Sequence, residues 1–379
     1  MSKSVAELLG PVRTDIDAID KELLPLFLKR MDCSRRVAEI KIANNIPVLN
    51  PEREKQILDN IREKAGEELG DSAVAFYAAV MGISREYQHR FMDGTEHFKT
   101  LIDSASVIVE KENKKILCQG VEGAYSHAAA QEFFGKEADI NFCPQFADVF
   151  SAIENGEADF GVVPVENSAA GSVSDVYSLI MKYRYYIVGA VNVSVRHCLA
   201  TKKNAEIKTV YSHPQALNQC KEYIKNKGFE PRQYSNTAAA AKFVSESDDN
   251  TIAAICSLSA AEKYGLTVIE NNIQDSKNNT TRFAVICKTP VFPENADKIS
   301  LILNIPNTPG SLYQTLERFA MNGLNLTKIE SRPIKDSNFD YEFYLDFTGN
   351  IRDENVMKLM ESLSAELQSM TFLGNYCEI

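Results

Sequence analysis

No two of the eight cysteines stand closer than 22 residues, so the chain has no CxxC pair and no other zinc-type spacing. It also lacks any window of about 18 uncharged apolar residues, and MSKSVAELLGPVRTDIDAID contains no signal-like apolar core. A disulfide framework and a membrane span are therefore not expected, and scattered thiols suit a reducing cytoplasm. Basic residues are outnumbered 41 to 52; the net charge of -11 repels phosphate backbones, and nucleic acid is not an expected partner. With only 18 glycines and 13 prolines, low-complexity and fibrous classes fall away, while 44% hydrophobic and 25% charged residues are ordinary for a globular chain. At roughly 150 residues per domain, 379 residues predict two or three domains.

Three textures follow one another. From residue 12 to about 42, Ile16, Ile19, Leu23, Phe27 and Val37 recur at the period of one amphipathic helix. At 1.5 Å per residue it spans about 45 Å, more than a small helical domain covers, so a partner helix from a second chain is expected along it. Pro25 predicts a kink. Asn44, Asn45 and Pro47 end this helix, a second starts near Pro51, and a third runs from about Ser72 to Phe91. Residues 1–93 are thus expected to be all helical and 94–114 a polar connector. Over 115–290 short apolar strands (116–118, 160–163, 209–211, 252–256) alternate with helical stretches, an α/β pattern. Over 296–379 the order strand, helix, strand, strand, helix, short strand makes an α+β module of βαββαβ type.

On a wheel of about 100° per residue with Ile16 at zero, Arg30 falls near -40° and Lys41 near -20°, inside the apolar stripe. Snorkelling is the simple reading of such cations. However, Ser84 and Gln88 form an i, i+4 polar pair, and Arg53 with Glu54 opens the second helix, so polar groups can converge on one helical core. Buried cations need an anion, and a substrate can supply it. The pattern Arg13, Arg30, Lys41 followed by PEREKQIL resembles the all-helical chorismate mutases over the whole segment 1–93. The resemblance implies that Arg13 reaches in from another subunit and that Arg30 and Arg53 clamp two substrate carboxylates. It implies that Lys41 and Gln88 bind the ether oxygen, with Glu54 and Ser84 on the hydroxyl and neighbouring groups. Asn50 stands where that family commonly has an acid at a substrate contact.

In the middle segment the polar loops follow strands: GVEGAYSHAAA (120–130), PVENSAAGS (164–172) and SHPQALNQC (212–220). Ligands of open α/β sheets bind at such strand ends. Singly, Ser126, Ser168 and Ser212 read as helix caps and Glu166 as a surface carboxylate. Together with RHCLA (196–200) and NNTTRFAVI (278–286), the strings resemble prephenate dehydratase. This implies two α/β lobes similar to periplasmic binding proteins, with the substrate in the cleft. It also implies that Thr281 acts at the leaving group and that Glu166, Asn167, Ser212 and Gln219 line the site. Whether Thr281 acts through Glu166 as a proton source or only by hydrogen bonding stays open at this stage. Arg282 reads equally as a carboxylate partner or a structural ion pair. His127, His197 and His213 are not spaced as metal ligands, and neither reaction calls for a metal or cofactor.

PNTPGSLYQTLERFAMNGLNLTKIESRPIK (306–335) opens with a turn into a helix start that can receive a carboxylate. The PGSL turn, the ESRP string and the βαββαβ order resemble the ACT-type regulatory module of prephenate dehydratases, which implies phenylalanine binding at a subunit interface. Gly310, Ser311, Leu312, Glu330, Ser331 and Arg332 are the matching positions, with Ser311 where alanine is common. The combined reading is a cytoplasmic, homo-oligomeric enzyme carrying chorismate through prephenate to phenylpyruvate under phenylalanine control. Two other readings remain: an aromatic-ligand sensor with decayed catalysis, and a dehydratase whose helical segment mainly dimerises.

Overall fold

The computed structural model describes residues 5–92, 96–202, 206–276, 278–334 and 341–379. Two 39-residue helices, α1 (Val5–Ala43) and α2 (Pro51–His89), make the N-terminal segment. Pro25 lies inside α1 without ending it. The second and third helices expected from the sequence meet with no loop between them: a single non-helical residue, Gly66 (φ 75°, ψ -179°), joins their axes within α2. Only glycine adopts that conformation cheaply. Asn50 caps α2, its Oδ1 accepting from the Arg53 N–H at 3.0 Å. Among the described residues nothing covers the stripe that the helical period marks as buried, and Ile16, Ile19 and Leu23 remain 50%, 64% and 44% exposed.

The expected connector is not featureless. Its first two residues, 94 and 95, lie outside the described residues, and it continues as α3 (Glu96–Ser104), which buries Phe98 in one core with Phe292 and with Phe372 of the C-terminal module. The chain then builds β1 (Lys115–Gln119), α4 (Tyr125–Phe134), β2 (Asp139–Cys143), α5 (Phe146–Glu154), β3 (Phe160–Asn167), β4 (Gly171–Ser172), α6 (Ser174–Tyr183) and β5 (Tyr186–Ser194). A second lobe follows with β6 (Cys198–Thr201), β7 (Thr209–Ser212), α7 (Pro214–Gln219), α8 (Lys221–Lys227), β8 (Glu230–Gln233), α9 (Thr237–Glu246), β9 (Ile252–Cys256), α10 (Leu258–Lys263) and β10 (Thr267–Asn271). β11 (Thr280–Cys287) then returns to the first lobe. The sheets run β2-β1-β3-β11-β5, with β4 on β3, and β10-β6-β9-β7-β8. Two crossings therefore join the lobes, a binding-protein-like arrangement as expected, and β3 is antiparallel to β11.

The C-terminal module is β12 (Lys298–Asn304), α11 (Ser311–Met321), β13 (Leu326–Pro333), β14 (Tyr341–Thr348), α12 (Glu354–Glu366) and β15 (Ser369–Tyr376). Its antiparallel sheet has the order β13-β14-β12-β15, and the final strand is as long as its neighbours. The sheet docks on β5 backbone to backbone. A Cβ added at Gly374 (φ 151°) would stand 2.1 Å from the Ile187 carbonyl oxygen, and the Ala190 and Ile379 amides bond to Cys377 and Ala190 carbonyls at 3.0 and 2.9 Å.

Candidate active sites

Seven expected residues, Arg30, Lys41, Asn50, Arg53, Glu54, Ser84 and Gln88, line one cavity of about 310 Å³ between α1 and α2. The wheel positions of Arg30 and Lys41 thus face a pocket. Arg30 donates to Ser84 Oγ and to the Val80 carbonyl at 3.2 Å, and Ser84 Oγ donates to the same carbonyl at 2.7 Å. Lys41 Nζ donates to the Val48 carbonyl at 2.5 Å. Burial pushes the pKa of both cations below its ordinary value. Gln88 Nε2 donates to the Ser84 carbonyl at 3.1 Å, while its Oε1 is buried without a protein partner. Arg13 lies on the exposed early part of α1 and does not line the cavity.

Arg85 was not anticipated. It lines the same cavity, its side chain is 6% exposed, and it contacts Glu54 at 2.5 Å and Glu366 at 3.2 Å. Its place one residue after Ser84 is a weak signal, because a polar helix residue at that spacing commonly faces solvent. With Arg30, Lys41, Arg53 and Arg85 against Glu54, the pocket carries excess positive charge suited to a small dianion.

A second cavity, about 320 Å³, lies between the two lobes of the middle domain and is lined by Asn167, Gln219 and Thr281. Asn167 Nδ2 donates to Thr281 Oγ1 at 2.9 Å and to Asn279 Oδ1 at 2.8 Å, and its Oδ1 accepts from the Ala169 and Ala170 amides and from Gln215. With its oxygen accepting from Asn167, the Thr281 hydroxyl proton is free to point into the cleft. Gln219 is held by the His197 ring at 3.0 Å, and Tyr125 hydrogen-bonds the Arg196 carbonyl at 2.6 Å. His213 Nδ1 accepts from the Gln215 amide, and burial lowers the pKa of this ring, so its neutral form presents Nε2–H. The first residues of α4 and α9 also reach the cleft, the latter capped by Asn236 at 2.7 Å from the Ala239 amide. Helix starts favour anions. The asparagine preceding TAAAA in YSNTAAA was a readable capping signal for this last group.

Three residues expected at the cleft lie elsewhere. Ser212 is fully buried and donates to the Ile255 carbonyl at 2.5 Å, tying β7 to β9. Glu166 and Arg282 face away because successive strand residues point to opposite sides, and the register pairs Thr281 with Asn167 and Arg282 with Glu166. Arg282 sits 2.6 Å from the buried Asp346 of β14 and 3.4 Å from Glu166. Burial alone would lower its pKa, but Asp346 overrides that and raises it. Arg282 is therefore a structural ion-pair partner, the other of its two readings.

In the C-terminal module Gly310 (φ 87°) precedes α11, which opens with Ser311 and Leu312, and Ser311 Oγ contacts Thr308 Oγ1. Glu330 bonds to Ser172, and Arg332 bonds to Glu330 and to Ser174 Oγ at 2.9 Å. These two side chains thus hold the module against the middle domain, while Ser331 points to the opposite face of β13. Among the described residues, no group of three or more His, Cys, Asp or Glu is arranged to hold a metal, and no helix is long and apolar enough to cross a membrane.

Residues 12–89 match the family chorismate mutase type II, 116–291 prephenate dehydratase and 299–365 the ACT domain. A bifunctional chorismate mutase/prephenate dehydratase of Aquifex aeolicus is 35% identical over 98% of both chains, and that of Neisseria gonorrhoeae is 34% identical over 99% of both. The crystal structure of a prephenate dehydratase from Arthrobacter aurescens in complex with L-Phe is 29% identical, with a TM-score of 0.65 over 69% of this chain and 90% of that one.

Proposed function

The chain belongs to the bifunctional chorismate mutase/prephenate dehydratases, and from that premise we propose how its residues divide the two reactions. It rearranges chorismate to prephenate, then converts prephenate to phenylpyruvate with loss of carbon dioxide and water. The first reaction is pericyclic and needs no nucleophile or proton transfer. Arg30 and Arg53 hold the substrate carboxylates, Lys41 and Gln88 donate to the ether oxygen as negative charge grows there, and Glu54 accepts from the hydroxyl. The gathering of these groups in one cavity carries this assignment and favours a working mutase over a mere dimerising segment.

In the cleft, the helix starts and polar side chains orient the dianion. The ring carboxylate leaves as carbon dioxide, its electron pair enters the ring, and the C–O bond breaks so that the ring hydroxyl departs as hydroxide, hydrogen-bonded by the Thr281 O–H, and takes a proton from solvent to leave as water. Asn167 fixes the Thr281 hydroxyl by filling its acceptor position. Glu166 has no place in this step, since it faces the other side of β3.

The exposed α1 stripe is the contact for a second copy, which brings Arg13 to its partner's mutase pocket. The protein works in the cytoplasm as a homodimer or a higher homo-oligomer. Phenylalanine acts at the C-terminal module, whose helix start at Gly310 can receive its carboxylate, and the Arthrobacter aurescens relative was solved in complex with L-Phe. The deciding experiment supplies chorismate or prephenate to the purified chain and follows phenylpyruvate with and without phenylalanine. Both substrates should be consumed, with inhibition at saturation of roughly 5- to 150-fold. Ligand binding without turnover would instead favour the sensor reading.

A further inference from the structure

We infer that Glu366, at the end of α12 in the C-terminal module, is a positioning residue of the mutase pocket: acting through Arg85, it sets the place of the Glu54 carboxylate. This rests on the pocket assignment above.

One guanidinium spans the two carboxylates. Arg85 donates from Nη1 to Glu54 at 2.5 Å and from Nε to Glu366 at 3.2 Å. Glu366 is held in turn by the His89 ring at 2.9 Å and by Arg318 of α11. The side chains of Arg85, Glu366, His89 and Arg318 are all less than a tenth exposed, so water cannot replace a lost partner. A guanidinium is rigid and planar, so the carboxylate that fixes one of its edges also fixes the direction of the other. Were the network only a fastening between domains, Glu366, Arg318 and His89 would suffice. Arg85 instead lines the cavity and spends its remaining bond on a carboxylate that lines it too. Without the Glu366 charge, Arg85 keeps Glu54 as its one direct salt bridge among the described residues, with the Glu317 carboxylate nearby, and draws Glu54 off the substrate hydroxyl.

The test uses the full chain, with mutase and dehydratase assayed separately on chorismate and prephenate. Glu366→Gln should lower mutase kcat/KM by roughly 10- to 100-fold, the scale of a misplaced catalytic group. Dehydration of prephenate should stay within about twofold, which also certifies folding. Coupling is the signature that a fastening role does not give. Once Glu54→Gln is in place, adding Glu366→Gln should cost little more, because both act through one contact. Mutase activity of Glu366→Gln within about twofold of the parent, or losses that multiply in the double variant, overturns the inference. If Glu366→Gln loses both activities, Arg85→Lys decides by the same coupling test, since it keeps the charge and removes the fork. Lys41→Ala, run in parallel, separates the premises: retained mutase activity there sinks the pocket assignment, whereas its loss alongside an unaffected Glu366→Gln sinks only the inference.

Discussion

On β11 the Thr281 hydroxyl accepts from Asn167 inside the cleft, while the next side chain, Arg282, lies 2.6 Å from Asp346 on the far side of the sheet. Thr281→Val preserves the shape and removes the donor. It should bind prephenate with KM within about threefold of the parent and lose roughly 100-fold or more in kcat, read from steady-state phenylpyruvate formation. Glu166→Gln should keep kcat within about threefold; a collapse comparable to Thr281→Val would return Glu166 to the reaction. The residue types at this site were legible in the sequence, because VENSAAGS and NNTTRFAVI are long and distinctive strings. Their facing was not: the apolar pattern ends the strand at residue 163 and leaves 164–172 as a loop, whereas β3 runs on to Asn167, so that Glu166 and Asn167 point to opposite faces. What pattern alone also withheld was the depth of Ser212 and the partner of Arg282, both set by strands distant in the chain.

At the scale of single elements, α1 repeats its apolar period yet leaves Ile16, Ile19 and Leu23 exposed. The helical period was legible, but burial depends on what lies beside the helix, and among the described residues nothing covers that stripe. If the second copy lends Arg13 to its partner's pocket, Arg13→Ala and Lys41→Ala proteins, each inactive alone, should complement when refolded together. Random pairing leaves one intact site in half of the dimers, restoring about a quarter of the parent mutase activity. Absence of recovery in confirmed mixed dimers would place Arg13 within its own chain's site or outside it. Asn50 has a role that its departure from the usual acid concealed. As the cap of α2 it should cost about 1 kcal/mol when changed to alanine and almost nothing when changed to aspartate, measured by thermal unfolding.

Across the whole molecule, domains that read as separate textures are locked by buried charge. Burial alone would raise the Glu366 pKa, but the His89 hydrogen bond and the charges of Arg318 and Arg85 hold it at about 2. Its folded pKa lies below the ordinary carboxylate value of about 4.5. Its stabilisation is therefore complete above that value and is lost as pH falls from about 4.5 toward 2. Calorimetry should find the parent losing more stability across this window than Glu366→Gln; equal losses would count against the shift. Another feature, the burial of Phe98 of α3 beside Phe372, has a kinetic consequence. The two rings belong to one core but are separated by about 270 residues, a long loop to close before either gains from the contact. During synthesis, which proceeds from the N-terminus, α3 must wait with its aromatic face uncovered while the whole middle domain emerges and folds. A nascent chain halted near residue 290 should therefore be a good chaperone substrate, and release from that state should follow completion of β15 rather than of the neighbouring β1.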